Sequence, residues 1–154
     1  MLALVARTEP SAARYDPSDQ ALIFTLERAM RQFVDRELRR EFGACWIKFR
    51  TPPARLKSWK WRQRLAYKNG EPYYPVLDFA DFPDLKEIAL SRGHWEICFA
   101  RILRDKNQFS AAMDRIYIMR KALAHSRHIT AEQRLILRCA SSYILSLIQP
   151  HPYP

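Results

Sequence analysis

The sequence predicts an all-α protein. Only three of the 154 residues are glycine, and the apolar residues recur at intervals of three and four instead of alternating. A hydrophobic content of 48% with 12% aromatic residues is typical of a globular chain. This length suffices to bury a core without disulfides or metals. We therefore expect one helical domain of about four to six helices.

The domain is expected to span residues 19–148. Residues 1–18 contain two prolines and no convincing periodicity, so we interpret them as a flexible N-terminal arm. The last residues, 149–154, read QPHPYP and cannot continue a helix, which makes them a C-terminal tail.

Apolar periodicity and capping signals place the individual helices. The first is predicted over residues 19–42 and ends at Gly43. Further helices are expected near residues 53–67, 83–90, 95–103 and 109–123. Thr130 and Gln133 form a capping box that starts the last helix, so a turn is expected just before it.

The helix near residues 53–67 has an unusual composition. Six lysines and arginines interleave with Trp59, Trp61 and Tyr67 over residues 55–68, a mixture that suits base stacking and phosphate contact. Equally, both tryptophans can face the core while the basic residues form a solvated surface. The sequence leaves both interpretations open.

The charge balance indicates a polyanionic partner. Lysine and arginine total 26 against 16 acidic residues, which gives a net charge of +10, and most of the basic residues are arginine. The alternative is a soluble domain whose basic face contacts an acidic protein.

Cysteine use and hydropathy indicate a reducing, non-membrane setting. Cys45, Cys98 and Cys139 are widely spaced among apolar residues, so we expect reduced and mostly buried thiols. The opening MLALVA is too short for a signal-peptide core, and no apolar run approaches a membrane span. A cytoplasmic location is therefore predicted.

The candidate catalytic residues are Arg120 and His125 in the stretch IMRKALAHSRHIT. A neutral imidazole can take the proton of a ribose 2′-hydroxyl near pH 7, and a guanidinium can stabilise charge on the attacked phosphate. The spacing alone is a weak signal, because nineteen arginines and four histidines produce about 1.5 such pairs by chance.

Three ordered blocks strengthen the assignment: YPVLDFADFPDLKEI, then HWEICF, then MRKALAHSRHIT. In this order they resemble the HEPN superfamily, in the branch of the nuclear RNA endonuclease that patrols transcribed chromatin. The segment ERAMRQFVDRELRREFGACW resembles that branch's opening block. The resemblance covers approximately residues 19–148.

The resemblance implies an antiparallel helical bundle that forms a homodimer, with two Arg-His motifs facing one cleft. It also implies a metal-independent endoribonuclease that leaves a 2′,3′-cyclic phosphate, in a toxin-antitoxin, phage-defence or RNA-surveillance context. Arg120 is then the cation beside the phosphate and His125 the base. An antitoxin or a defence-complex protein is a candidate partner.

The chain departs from the family pattern at two positions. Lys121 stands where members commonly carry a small polar residue, and Arg127 stands where nucleotidylated toxins carry tyrosine. The first departure keeps a second hypothesis open, namely a non-catalytic module that binds RNA or a partner protein. A plain helical interaction domain ranks last, because it does not explain the ordered blocks.

Four further side chains are candidates for RNA binding around the pair: Arg115, Lys121, Arg127 and His128. For any one of them, a place on a solvated helix face is the safer interpretation. His125 and His128 lack a suitably spaced third ligand, so no metal is expected, and no cofactor is expected either.

Overall fold

The structure, a computed structural model, describes residues 17–149 and is helical with no β-strand in that range. Its helices are α1 (Pro17–Phe42), α2 (Trp46–Arg50), α3 (Pro53–Lys68), α4 (Phe82–Leu90), α5 (Ala100–Leu103), α6 (Lys106–Ala124) and α7 (Ala131–Ile148). A 3₁₀ turn, Val76–Phe79, precedes α4, and a π-helical turn, Trp95–Phe99, leads into α5. The all-α prediction is confirmed.

Helix α1 lies at the centre of the bundle and contacts α4, α6 and α7. It begins at Pro17, two residues before the predicted start, and ends at Phe42 beside Gly43, whose φ of 85° favours glycine. Its apolar side is buried, with Leu26, Met30 and Phe33 almost fully excluded from solvent. The predicted amphipathic helix is therefore confirmed.

Helices α6 and α7 form a hairpin through a short turn and lie against each other. The apolar positions predicted for α6 are all buried: Phe109, Met113, Ile116, Met119 and Leu123. The capping box predicted for α7 is present, since the Thr130 hydroxyl accepts from the Gln133 backbone and the Gln133 side chain accepts from the Thr130 backbone.

Helix α3 divides its two tryptophans between core and solvent. Trp59 is buried, and its indole N–H donates to Asp84 of α4 at 2.9 Å. Trp61, two residues later, is 58% exposed. Neither of the two sequence interpretations therefore holds for both residues.

Within residues 17–149, five helices have nine or more residues, which is within the expected number. The helix expected near residues 95–103 is present as the π-helical turn followed by α5, whereas the short helix α2 was not predicted. Helix α2 follows α1 directly because the Trp46 indole donates to Asp35 of α1 at 2.8 Å and buries its ring there. Helix α5 continues the π-helical turn and stops at Arg104, which has a positive φ of 63°.

The expectation of mostly buried thiols is wrong for two of the three cysteines. Cys98 is buried, whereas Cys45 and Cys139 are exposed, and none of the three forms a disulfide. Cys45 lies in the turn before α2, and Cys139 lies on the outward side of α7. Burial raises the pKa of the Cys98 thiol.

Within residues 17–149, no helix is both long and apolar enough to cross a bilayer. The predicted arm falls almost wholly outside the described residues, and so does nearly all of the predicted tail.

Candidate functional site

His125 occupies the C-cap of α6 and is exposed to solvent. The helix ends there in a Schellman motif: the Arg127 N–H donates to the Ala122 carbonyl at 2.8 Å and the Ser126 N–H to the Leu123 carbonyl at 3.1 Å. In the described part of the chain, the imidazole makes no hydrogen bond or ion pair. An ordered backbone thus holds a ring that is accessible to a ligand.

Arg120 lies one turn earlier and is anchored to α1. Its Nε–H donates to the carboxylate of Glu27, a residue only 8% exposed. A second cation, Arg31, lies 3.9 Å from the same carboxylate. The Arg120 side chain is about one-third exposed, so part of it is open to solvent.

In the part of the chain that the structure describes, Arg120 and His125 form no hydrogen bond with each other. Five positions along a helix correspond to a rotation of about 140° around its axis. Accordingly, Arg120 is turned towards α1 while His125 stands at the end of α6. Nothing in the sequence indicated Glu27 as the partner of Arg120, because the two residues are 93 positions apart.

The other candidate residues are exposed but scattered. Lys121 lies with its Nζ 5.6 Å from the centre of the Tyr117 ring, and Arg127 and His128 belong to the turn after α6. Arg115 lies elsewhere, on a groove of about 880 Å³ between α6 and α7. The structure therefore brings Lys121, Arg127 and His128 near the end of α6 and leaves Arg115 apart.

Asp114 of α6 pairs with Lys86 of α4, whose Nζ lies 2.6 Å from the Asp114 carboxylate. Among residues 17–149, no group of three or more His, Cys, Asp or Glu side chains is arranged to hold a metal ion.

Sequence reasoning missed a polar cleft of about 390 Å³ between α2, α3 and α4, lined in part by Thr51, Arg55, Asp84 and His94. Asp84 accepts from Trp59 and from Arg55, at 2.9 and 2.6 Å, and so ties α3 to α4. These partners are 25 and 29 positions away in sequence, so no local spacing signals the cleft.

His94 is a buried member of that cleft and is held neutral. Its Nδ1 lies 2.9 Å from the Ile88 carbonyl, so Nδ1 carries the proton and donates it. Burial lowers the pKa of His94, the hydrogen bond to Ile88 opposes that shift, and the nearby Arg50 lowers the pKa further. The residue therefore has a structural role in joining the end of α4 to the π-helical turn.

Comparison of the chain with protein-family models, with curated proteins and with solved structures finds no match. The resemblance to the HEPN superfamily accordingly rests on the ordered sequence blocks. The structure adds an all-helical fold and an exposed His125 at an ordered helix end, both compatible with it. Membership of the superfamily stays a prediction.

Proposed function

We propose that the protein is a metal-independent endoribonuclease in which His125 and Arg120 act on the RNA backbone. The observation that carries the proposal is the exposed imidazole of His125 at the Schellman end of α6, which makes no hydrogen bond or ion pair with residues 17–149 and lies five positions after a partly exposed arginine. A free imidazole on an ordered backbone can approach a ribose, whereas a packed or hydrogen-bonded ring cannot.

In the proposed step, His125 removes the proton of a 2′-hydroxyl, and the resulting oxygen attacks the adjacent phosphorus. The bond from phosphorus to the 5′-oxygen breaks, and that oxygen leaves as a hydroxyl after taking up a proton. Arg120 stabilises the charge on the phosphate through its terminal nitrogens, while its Nε–H stays with Glu27. The products are a 2′,3′-cyclic phosphate and a 5′-hydroxyl.

A homodimer belongs to this proposal, because the two side chains diverge within one protomer. A second copy facing the first would bring its own imidazole to the cleft as the proton donor for the leaving oxygen. The resemblance also suggests a toxin-antitoxin, phage-defence or RNA-surveillance setting, with an antitoxin or defence-complex protein as regulator.

Cleavage in the presence of EDTA tests the proposal. We expect wild-type protein to cut single-stranded or structured RNA, to spare DNA and to leave cyclic phosphate ends. His125→Ala should slow cleavage by about 10² or more, without unfolding the protein, because the ring is exposed. Gln149→Ala, at the exposed C-cap of α7, is a matched control that should keep full activity. Intact RNA with wild-type protein, or full activity of His125→Ala, would refute the nuclease.

A non-catalytic RNA-binding or protein-binding module is the second candidate. The observation that favours it is the ion pair with Glu27, which neutralises much of the charge that Arg120 would offer a phosphate. It predicts salt-sensitive RNA binding with no cleavage, weakened by charge reversal at Lys121. If binding ignores both salt and that substitution, an RNA role for this end of α6 is excluded.

A further inference from the structure

The solvent face of α3 carries a stripe of four cations. Lys57, Lys60, Arg64 and Lys68 recur every three or four residues, so they occupy roughly 80° of the helix circumference. All four are exposed, and none makes an ion pair within residues 17–149. Helix α3 has no acidic residue, so the stripe has no neutralising charge on its own helix.

The three carboxylates of α4 and its N-cap are already paired with other arginines of α3. Arg55 pairs with Asp84 and Glu87 at 2.6 Å, and Arg62 pairs with Asp81 at 3.0 Å. These pairs bind the inner side of α3 to the start of α4. Because they occupy those carboxylates, the outward cations remain available to an external anion.

Trp61 adjoins the cations on this face and is 58% exposed. The other three tryptophans of the chain, Trp46, Trp59 and Trp95, are buried. Beside the stripe, Tyr67 and Tyr73 are also exposed and meet edge to face, with ring centres 6.1 Å apart. A large exposed ring between positive charges is suited to stacking on a planar group of an anionic ligand.

We propose that this stripe, comprising Lys57, Lys60, Trp61, Arg64 and Lys68, binds single-stranded RNA. The cations contact successive phosphates along about 16 Å of helix, and an unpaired base stacks on Trp61. The choice of RNA rests on the proposed function, but the stripe lies on a different helix from Arg120 and His125 and does not depend on their chemistry.

The geometry favours a single strand over a duplex or a membrane. Bases in a duplex are already stacked and cannot reach Trp61. A membrane-surface helix needs a free apolar face, whereas the apolar side of α3 is packed on the protein through Trp59. An acidic protein would pair with the cations, but it would leave the exposed ring of Trp61 without a planar group to stack on.

Binding of a short oligouridylate with 2′-O-methyl riboses tests the stripe. This RNA cannot be cut by 2′-hydroxyl attack, so the result is independent of nuclease activity. We expect Trp61→Ala to weaken binding roughly tenfold and Trp61→Phe to weaken it less. The observed association constant, Kobs, should fall as the salt concentration rises. The double variant Lys60→Glu with Arg64→Glu should reduce the slope of log Kobs against log salt concentration by about 1.4, because two phosphate contacts are lost.

Matched controls lie on α1, where Phe24 and Arg28 place an exposed aromatic ring and an exposed cation four positions apart. Phe24→Ala and Arg28→Glu should bind RNA like wild type. RNA should also quench the fluorescence of the one exposed tryptophan, Trp61, and a duplex of the same length should compete poorly.

Three results would overturn the inference: binding unaffected by the stripe variants, equal loss in the α1 controls, or polyglutamate competing as well as RNA. The last would indicate an acidic protein partner. Loss of binding in the stripe variants with no cleavage of ordinary RNA would leave the stripe standing and reject the nuclease. Cleavage that needs His125, together with RNA binding that the stripe variants leave unchanged, would support the nuclease and reject the stripe.

Discussion

Ser126 has the left-handed backbone conformation that ends α6, with a φ of 56°. The same Schellman geometry ends α3, where the residue in that position is Gly70 with a φ of 92°. A side chain disfavours this conformation, whereas glycine adopts it readily. We therefore expect Ser126→Gly to raise the free energy of unfolding by about 0.5–1 kcal/mol in urea denaturation. As the matched control, Gly70→Ser should lower it, and equal effects of the two substitutions would contradict the explanation.

His94 makes stability depend on pH. Its folded pKa lies below its ordinary value of 6.5, so the folded state favours the neutral ring. The stabilisation is complete above pH 6.5 and is lost as the pH falls below that value towards the folded pKa. We expect the free energy of unfolding of the wild type to decrease as the pH is lowered from above 6.5 to below it.

The variant His94→Asn isolates this contribution, because its amide can still donate to the Ile88 carbonyl but does not titrate. The variant is less stable overall, since it loses the ring that lies 5.8 Å from Phe42. Its stability should nevertheless change less between those pH values than that of the wild type. A parallel pH dependence would assign the effect to the carboxylates instead.

At the scale of the helices, the ion pair between Glu27 and Arg120 joins α1 to α6. Glu27 is nearly buried, so Arg120→Ala leaves its carboxylate with only the more distant Arg31. We expect Arg120→Ala to lower the free energy of unfolding by about 1–2 kcal/mol. The loss is smaller than for a fully buried pair because the arginine is partly exposed. Thermal unfolding should show the loss, and adding Glu27→Gln to Arg120→Ala should recover part of it. No recovery would mean that the arginine stabilises by packing alone.

Long helices were predictable because local signals suffice for them. Repeated apolar spacing located α1, α6 and α7, and the Thr130 capping box set the start of α7. The short helix α2 was missed because it depends on Trp46 reaching Asp35 across a turn. Helical periodicity places Trp59 and Trp61 on opposite sides of α3, but it cannot tell which ring is buried, since the position of α4 decides that.

The candidate site, like the helices, was predictable only where local sequence signals determine it. The exposure of His125 follows from the turn that the capping box implies, and the structure shows it. The orientation of Arg120 depends on its ion pair with Glu27, and folding of the whole bundle is needed to bring these two residues together. The neutral His94 and its cleft also arise from contacts between elements.

For the whole molecule, the net charge of +10 is distributed unevenly, and α3 bears a large share with no acid on its own chain segment. Lys60 and Arg64, and Arg64 and Lys68, are like-charged pairs four apart, each unfavourable by about 0.2–0.5 kcal/mol. Without a bound ligand, repulsion between these cations therefore destabilises α3, and dissolved salt screens that repulsion.

Backbone amides of α3 should therefore exchange hydrogen more slowly as salt is raised, even though salt weakens RNA binding. Lys60→Glu should slow exchange at low salt without any ligand, while Arg28→Glu on α1 should leave α3 unchanged. Faster hydrogen exchange in Lys60→Glu than in the wild type would argue against this charge repulsion. A bound polyanion reduces the same repulsion between the cations of α3. Because α3 has no acidic residue that could reduce it, hydrogen exchange in this helix should show whether the anionic partner is bound.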